Sequence, residues 1–179
     1  MRTHLIATAL LTSAIALPAM GQGMKSSAMS GSSAGSDATF VKKAAISDMY
    51  EIQASQLAQT KAVSAEVKNF ASKMVTDHSK TSDQLKSILS GKSSPKAPTA
   101  IDAKHKALLS KLKSVSGADF DSAYAQQQLE AHQQAVTLFT GESQGGNDAD
   151  LKTFASQTLP ALQQHLSMAQ TLQKGGAKP

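Results

Sequence analysis

The 179-residue chain has no cysteine and no tryptophan. Without cysteine no disulfide can form, so stability must come from a packed core. The same absence excludes thiolate metal ligands, thiol nucleophiles and the lipid-bearing cysteine of a bacterial lipoprotein. Aromatic residues are few, two Tyr and five Phe, a poor set of platforms for stacking bases. Arginine is almost missing, and the lysines are spread over every segment with no block of five or more. Nucleic acid is therefore excluded as a partner, and the surface reads as a solvated lysine-rich one. No segment alternates with the period of a strand, and Asn-Gly turn pairs are absent. A Gly-rich phosphate loop and a His-Glu-x-x-His motif are also lacking.

What is present begins with an address. Arg2 precedes an apolar run from Leu5 to Leu17, which Pro18 ends, and small residues follow at Ala19 and Gly21. A membrane span needs about 20 apolar residues, so this shorter run reads as a secretory signal peptide, residues 1–21, with Ala19-Met20-Gly21 as the cleavage site. Removing it leaves 17 basic against 13 acidic residues, a net charge of +4. The mature protein is expected in the periplasm or secreted. It has no integral membrane segment, contact with the envelope is peripheral at most, and the oligomeric state is open. Residues 22–38 are rich in Ser and Gly and read as a flexible tether, in which Met24 and Met29 are incidental. Residues 39–174 form the expected domain, and 175–179 a disordered tail.

That domain reads as all-α. The first helix is expected from about Thr39 to Lys61, and the second from its N-cap Ser64 to Gly91. Two prolines, Pro95 and Pro98, interrupt the chain before a short amphipathic helix over about 100–115. A third long helix spans about 118–142, and a fourth, capped by Asn147, runs to about Lys174 with a kink expected at Pro160. Tight turns near 62–63 and 143–146 make two hairpins. The intervening segment fits either a crossover, as in ferritin-like bundles, or a local cap, as in up-down bundles.

Three long helices each place a histidine inside the apolar stripe. His78 follows Val67, Ala71 and Met74, His132 lies between Leu129 and Val136, and His165 follows Ala155, Thr158 and Leu162, all at steps of three and four. Glu51 sits among small residues on the first helix, one turn after Asp48. By helical rise, Glu51, His78 and His132 fall within about 6 Å in height. His165 falls roughly 8 to 12 Å away, nearer Tyr124. The candidate metal ligands are thus Glu51, His78 and His132, with Asp48 and His165 as further candidates. Imidazole and carboxylate suit a transition-metal ion, Zn, Fe, Cu or Ni. A di-iron centre would want Glu-x-x-His pairs, and Glu130-Ala131-His132 has the wrong spacing. His105, between lysines, is expected to face solvent.

The residues also carry a resemblance. Phe40-Val41-Lys42-Lys43-Ala44-Ala45, Tyr50-Glu51-Ile52, Phe70 to His78, Ser116 to Tyr124, Ala131 to Val136 and Thr158 to Leu166 resemble the motifs of a bacterial family of exported ferritin-like proteins. That family is catalogued as a domain of unknown function, and its members are often labelled predicted outer membrane proteins. The likeness covers about residues 39–174. It implies a ferritin-like four-helix bundle with a short extra helix between helices two and three, and an envelope location. It supplies no reaction. Three readings follow: a non-enzymatic exported bundle holding one metal ion, a structural or stress-related envelope interaction protein whose histidines form a core hydrogen-bond network, and a metal-dependent redox enzyme. The missing Glu-x-x-His pairs weigh against the third.

Overall fold

The computed structural model describes residues 30–176, with side chains from Asp37 to Gly175. The expected signal peptide and the start of the expected tether lie outside the described residues. Five helices follow in order: α1 Ser30–Lys61, α2 Ala65–Ser90, α3 Ala103–Ser114, α4 Gly117–Gly145 and α5 Ala149–Gly176. Among the described residues there is no strand, and no helix is long and apolar enough to cross a membrane.

Local chemistry explains most of the ends. Ser64 caps α2, its hydroxyl accepting from the Val67 N–H at 3.3 Å, and Asp102 caps α3 by accepting from the His105 N–H at 2.9 Å. Gly117 begins α4 at φ 60°, a left-handed conformation that its lack of Cβ makes cheap. Two expected ends shift. α1 is already helical at Ser30, the first described residue, ahead of the expected Thr39; residues 30–38 contain no proline to interrupt it. Asp148, not Asn147, caps α5: its Oδ1 accepts from the Asp150 and Leu151 N–H groups, while the Asn147 N–H turns to Asp37. α5 continues through Pro160.

Polar contacts at the two ends of the bundle decide its connectivity. At one end, the Asp37 carboxylate accepts from the backbone N–H groups of Asn147 and Asp148, both at 3.0 Å. Lys92, just past α2, reaches Asp148 and Asp150 at the same end. At the other end, Asp121 accepts from the Val63 and Ser64 N–H groups, and Lys61 donates to the carbonyls of Leu112 and Lys113. The segment between α2 and α4 therefore runs the length of the bundle, carrying α3. The two hairpin turns lie at opposite ends. This is the crossover connectivity, and each long helix is antiparallel to the neighbours it packs on.

The core divides in two. Near the first turn, Ala54, Ala58, Val67, Phe70, Ala71, Met74, Leu112, Phe120, Tyr124 and Ala169 pack together. Near the second, Phe40, Val41, Ala44, Leu85, Phe139, Leu151, Phe154 and Leu162 form another cluster, with Phe40 edge-on to Phe139 at 5.0 Å between centroids. Where these two clusters meet, each long helix carries buried polar residues: Asp48 on α1, with Glu51 just inside the first cluster, His78 on α2, Gln128 and His132 on α4, and His165 on α5. A polar layer thus crosses the bundle between two apolar halves.

Candidate metal centre

His78, His132 and His165 converge in that layer. One ring nitrogen of each lies within 4.8 Å of those of the other two. The ring centroids are 5.6 Å apart for His78 with His132, 5.6 Å for His78 with His165, and 5.4 Å for His132 with His165. All three rings are buried. This corrects the height expected for His165, which joins the other two instead of lying nearer Tyr124. The reason is directional. Helical side chains lean toward the N-terminus of their own helix, and α4 and α5 are antiparallel, so the rings of His132 and His165 lean toward each other. Counting Cα heights alone left that convergence out.

Each ring is held by one nitrogen. His78 Nδ1 donates to Asp48 Oδ1 at 2.8 Å, His132 Nδ1 donates to the Gln128 carbonyl at 2.8 Å, and His165 Nε2 donates to Asp77 Oδ2 at 2.7 Å. The other nitrogens, Nε2 of His78, Nε2 of His132 and Nδ1 of His165, are buried and have no hydrogen-bond partner among the described residues. In the neutral rings those bonds select the tautomers in which the free nitrogens carry lone pairs, and a metal at His78 would displace any second proton there. Burial and the neighbouring His78 push the His132 pKa down to about 3, against the opposing influence of the Gln128 carbonyl. Burial also lowers His165, although Asp77 works the other way. Both are therefore neutral near pH 7, the form that can bind a metal. Burial also opposes charge on His78, but the hydrogen bond and charge of Asp48, with Glu51 and Asp77, hold its pKa above the ordinary value.

The carboxylates take different places. Asp48 holds His78 from behind, and its second oxygen accepts from Ser82 at 3.3 Å, so this candidate supports a ring. Glu51 is 1% exposed, and neither of its oxygens has a hydrogen-bond partner among the described residues. Burial raises its pKa to about 7, while His78 and Gln128 favour the charged form. It lies beside the histidine cluster without being part of the three-donor group. Below it, Tyr124 shares a 2.8 Å hydrogen bond with Ser55, and Tyr50 donates to Gln127 at 2.6 Å. His105, expected in solvent, is instead half-buried: it bonds Asp102 at 2.6 Å and its ring lies 5.0 Å from Tyr50.

Sequence reasoning missed Asp77. It adjoins His78 and so cannot share that face of α2, but the adjacent face meets α5, where His165 waits. The Lys73–Asp77 pair at helical spacing was a weak signal of an ordered side chain there.

Fold and site together define a helical bundle with a long crossover and a buried layer of three imidazoles. The family model for the domain of unknown function DUF4142 matches residues 22–172, so the chain belongs to that family. Comparison with curated proteins found no match. Among solved structures, the chain is similar to CopM in the Cu(II)-bound form, with a TM-score of 0.66 and 15% identity, covering 78% of this chain and 96% of that one. At that identity the likeness is one of fold.

Proposed function

We propose that the protein is an exported, non-enzymatic metal-binding bundle that holds one transition-metal ion among His78, His132 and His165, with Glu51 beside it. The observation that carries this reading is the set of three buried ring nitrogens, close together and without partners, on rings each fixed by its other nitrogen. The hydrogen bonds among the described residues leave each of them unsatisfied, and a buried polar atom left so costs about 1–3 kcal/mol. A metal ion takes all three lone pairs at once. Carboxylate or carbonyl acceptors behind ligating imidazoles are the usual second layer of such a site.

Among Zn, Fe, Cu and Ni, copper is favoured. Imidazole suits it, divalent copper binds nitrogen donors most tightly of the first-row ions, and the structural neighbour CopM was solved in a Cu(II)-bound form. The apolar run after Arg2 supports export, and the absence of Glu-x-x-His spacing supports binding over oxygen chemistry. The crossover connectivity agrees with a ferritin-like bundle.

The test is elemental analysis of untagged protein purified from the cell envelope, followed by titration with Cu(II), Zn(II), Fe(II) and Ni(II). One equivalent of bound ion is expected, with imidazole nitrogen couplings in the Cu(II) electron paramagnetic resonance spectrum. His78→Gln, His132→Gln and His165→Gln should each abolish tight binding. Less than about 0.1 metal per chain, with no thermal shift on adding any of the four ions, overturns the reading.

A further inference from the structure

The three rings of the centre are not held alike. His78 is fixed by Asp48, whose side chain is 5% exposed, and His132 by a main-chain carbonyl of its own helix. His165 is fixed by Asp77, whose side chain is 31% exposed and shares its Oδ2 with Lys73 at 2.9 Å. Only this third support reaches solvent. Water can replace Asp77 as the partner of His165 Nε2, whereas freeing either of the other rings would leave a buried carboxylate oxygen or a buried imidazole N–H without its partner.

We propose that metal reaches and leaves the centre past Asp77, with His165 as the ring that moves and Lys73 as the latch. This rests on the metal-binding reading above. Asp77 is the outermost anionic group in contact with the cluster, so an incoming cation meets its carboxylate first. Its pair with Lys73 places a positive charge at that same oxygen and opposes the approach. Both partners are partly solvent-exposed, and exposed pairs of this i, i+4 kind are weak, so the latch opens readily. When it opens, the free oxygen of Asp77 receives the ion while His165, released from its hydrogen bond, turns its nitrogens toward the opening. His78 and His132 stay in place as the fixed half of the site. Asp77 is thus a positioning residue for exchange, and its effect should be seen in rates.

The experiment is stopped-flow uptake of Cu(II) by the apo full chain, with release measured into excess chelator, for the wild type and for Lys73→Gln, Lys73→Glu, Asp77→Asn and Asp48→Asn. Uptake should quicken in the order Asp77→Asn, wild type, Lys73→Gln, Lys73→Glu. Neighbouring members should differ by up to about tenfold at low ionic strength, and the spread should shrink as salt is added. Asp48→Asn, which loses a buried carboxylate behind a ring of the site itself, should weaken affinity mainly through faster release and slow uptake less than Asp77→Asn does. If the wild type binds copper but the Lys73 and Asp77 variants take it up at the wild-type rate, the exchange path is wrong. The same holds if Asp48→Asn slows uptake as much as Asp77→Asn. If the wild type binds no metal, the functional reading fails before this one is reached.

Discussion

The two buried tyrosines show how closely single polar atoms are matched in this core. Tyr124 is fully enclosed, and its hydroxyl and that of Ser55, also fully buried, satisfy each other. Burial raises the Tyr124 pKa well above its ordinary value, so the phenol stays protonated and available for that bond. Tyr124→Phe should leave the Ser55 hydroxyl stranded and cost about 1–3 kcal/mol, seen as a lower melting temperature. Adding Ser55→Ala should restore part of the loss, since removing both partners costs less than removing one. If Tyr124→Phe melts with the wild type, that bond contributes nothing. Gly146 offers a second test. A Cβ there would lie 2.5 Å from Glu142 Oε1 and 2.7 Å from the Glu142 carbonyl oxygen. Its φ of −62° strains no residue, so the constraint is space alone. Gly146→Ala should cost about 1–3 kcal/mol, measured by urea unfolding.

Between elements, the junction of α1 with the α4–α5 turn carries an unusual load of negative charge. Asp37 from α1 and Asp148 from the turn both raise the pKa of Glu142, which burial, the largest influence, already pushes up, while Lys152 of α5 opposes; the result is about 7. Lys92 is engaged with Asp148 and Asp150. Glu142 binds its proton more tightly folded than unfolded, so the native chain holds more protons between its ordinary value of 4.5 and about 7. Stability contributed by neutral Glu142 is therefore fully present below the ordinary value and is lost as pH rises through about 7. Denaturant unfolding across this window should show that decline, to which Glu51 also contributes, and Glu142→Gln, neutral at every pH, should make it shallower by the share of Glu142. An unchanged slope in the Gln variant would place the titration elsewhere.

At the scale of the whole molecule, the polar layer separates two apolar clusters that meet only through the long helices. A ligand bound in that layer touches α2, α4 and α5 together, and so must raise the stability of the bundle as a unit. Metal at 100 times its dissociation constant should add about 2.7 kcal/mol. For a domain of this size that is roughly 5–10 °C in melting temperature. Scanning calorimetry with and without one excess of Cu(II), then with chelator, checks it. A shift that survives replacement of all three histidines by Gln would come from some other site.

The residue pattern alone carried the all-α class, most helix ends, the two hairpins and the buried character of Glu51, His78, His132 and His165, because each follows from local propensity and a 3.6-residue period. Ser64 caps α2 as the pattern expects, whereas Asp102, which the pattern put inside the short helix, caps it instead. What the pattern could not carry was direction and distance between helices. Whether the middle segment crosses the bundle was decided by contacts such as Asp37 with the turn at Asn147 and Asp121 with Ser64, which link residues far apart in the chain. The place of His165 was decided by antiparallel packing, which makes two side chains lean together where Cα heights alone hold them apart. Asp48 and Asp77 took their roles behind the rings for the same reason: which oxygen meets which nitrogen is a property of packed helices, and periodicity along one helix contains no information about the next.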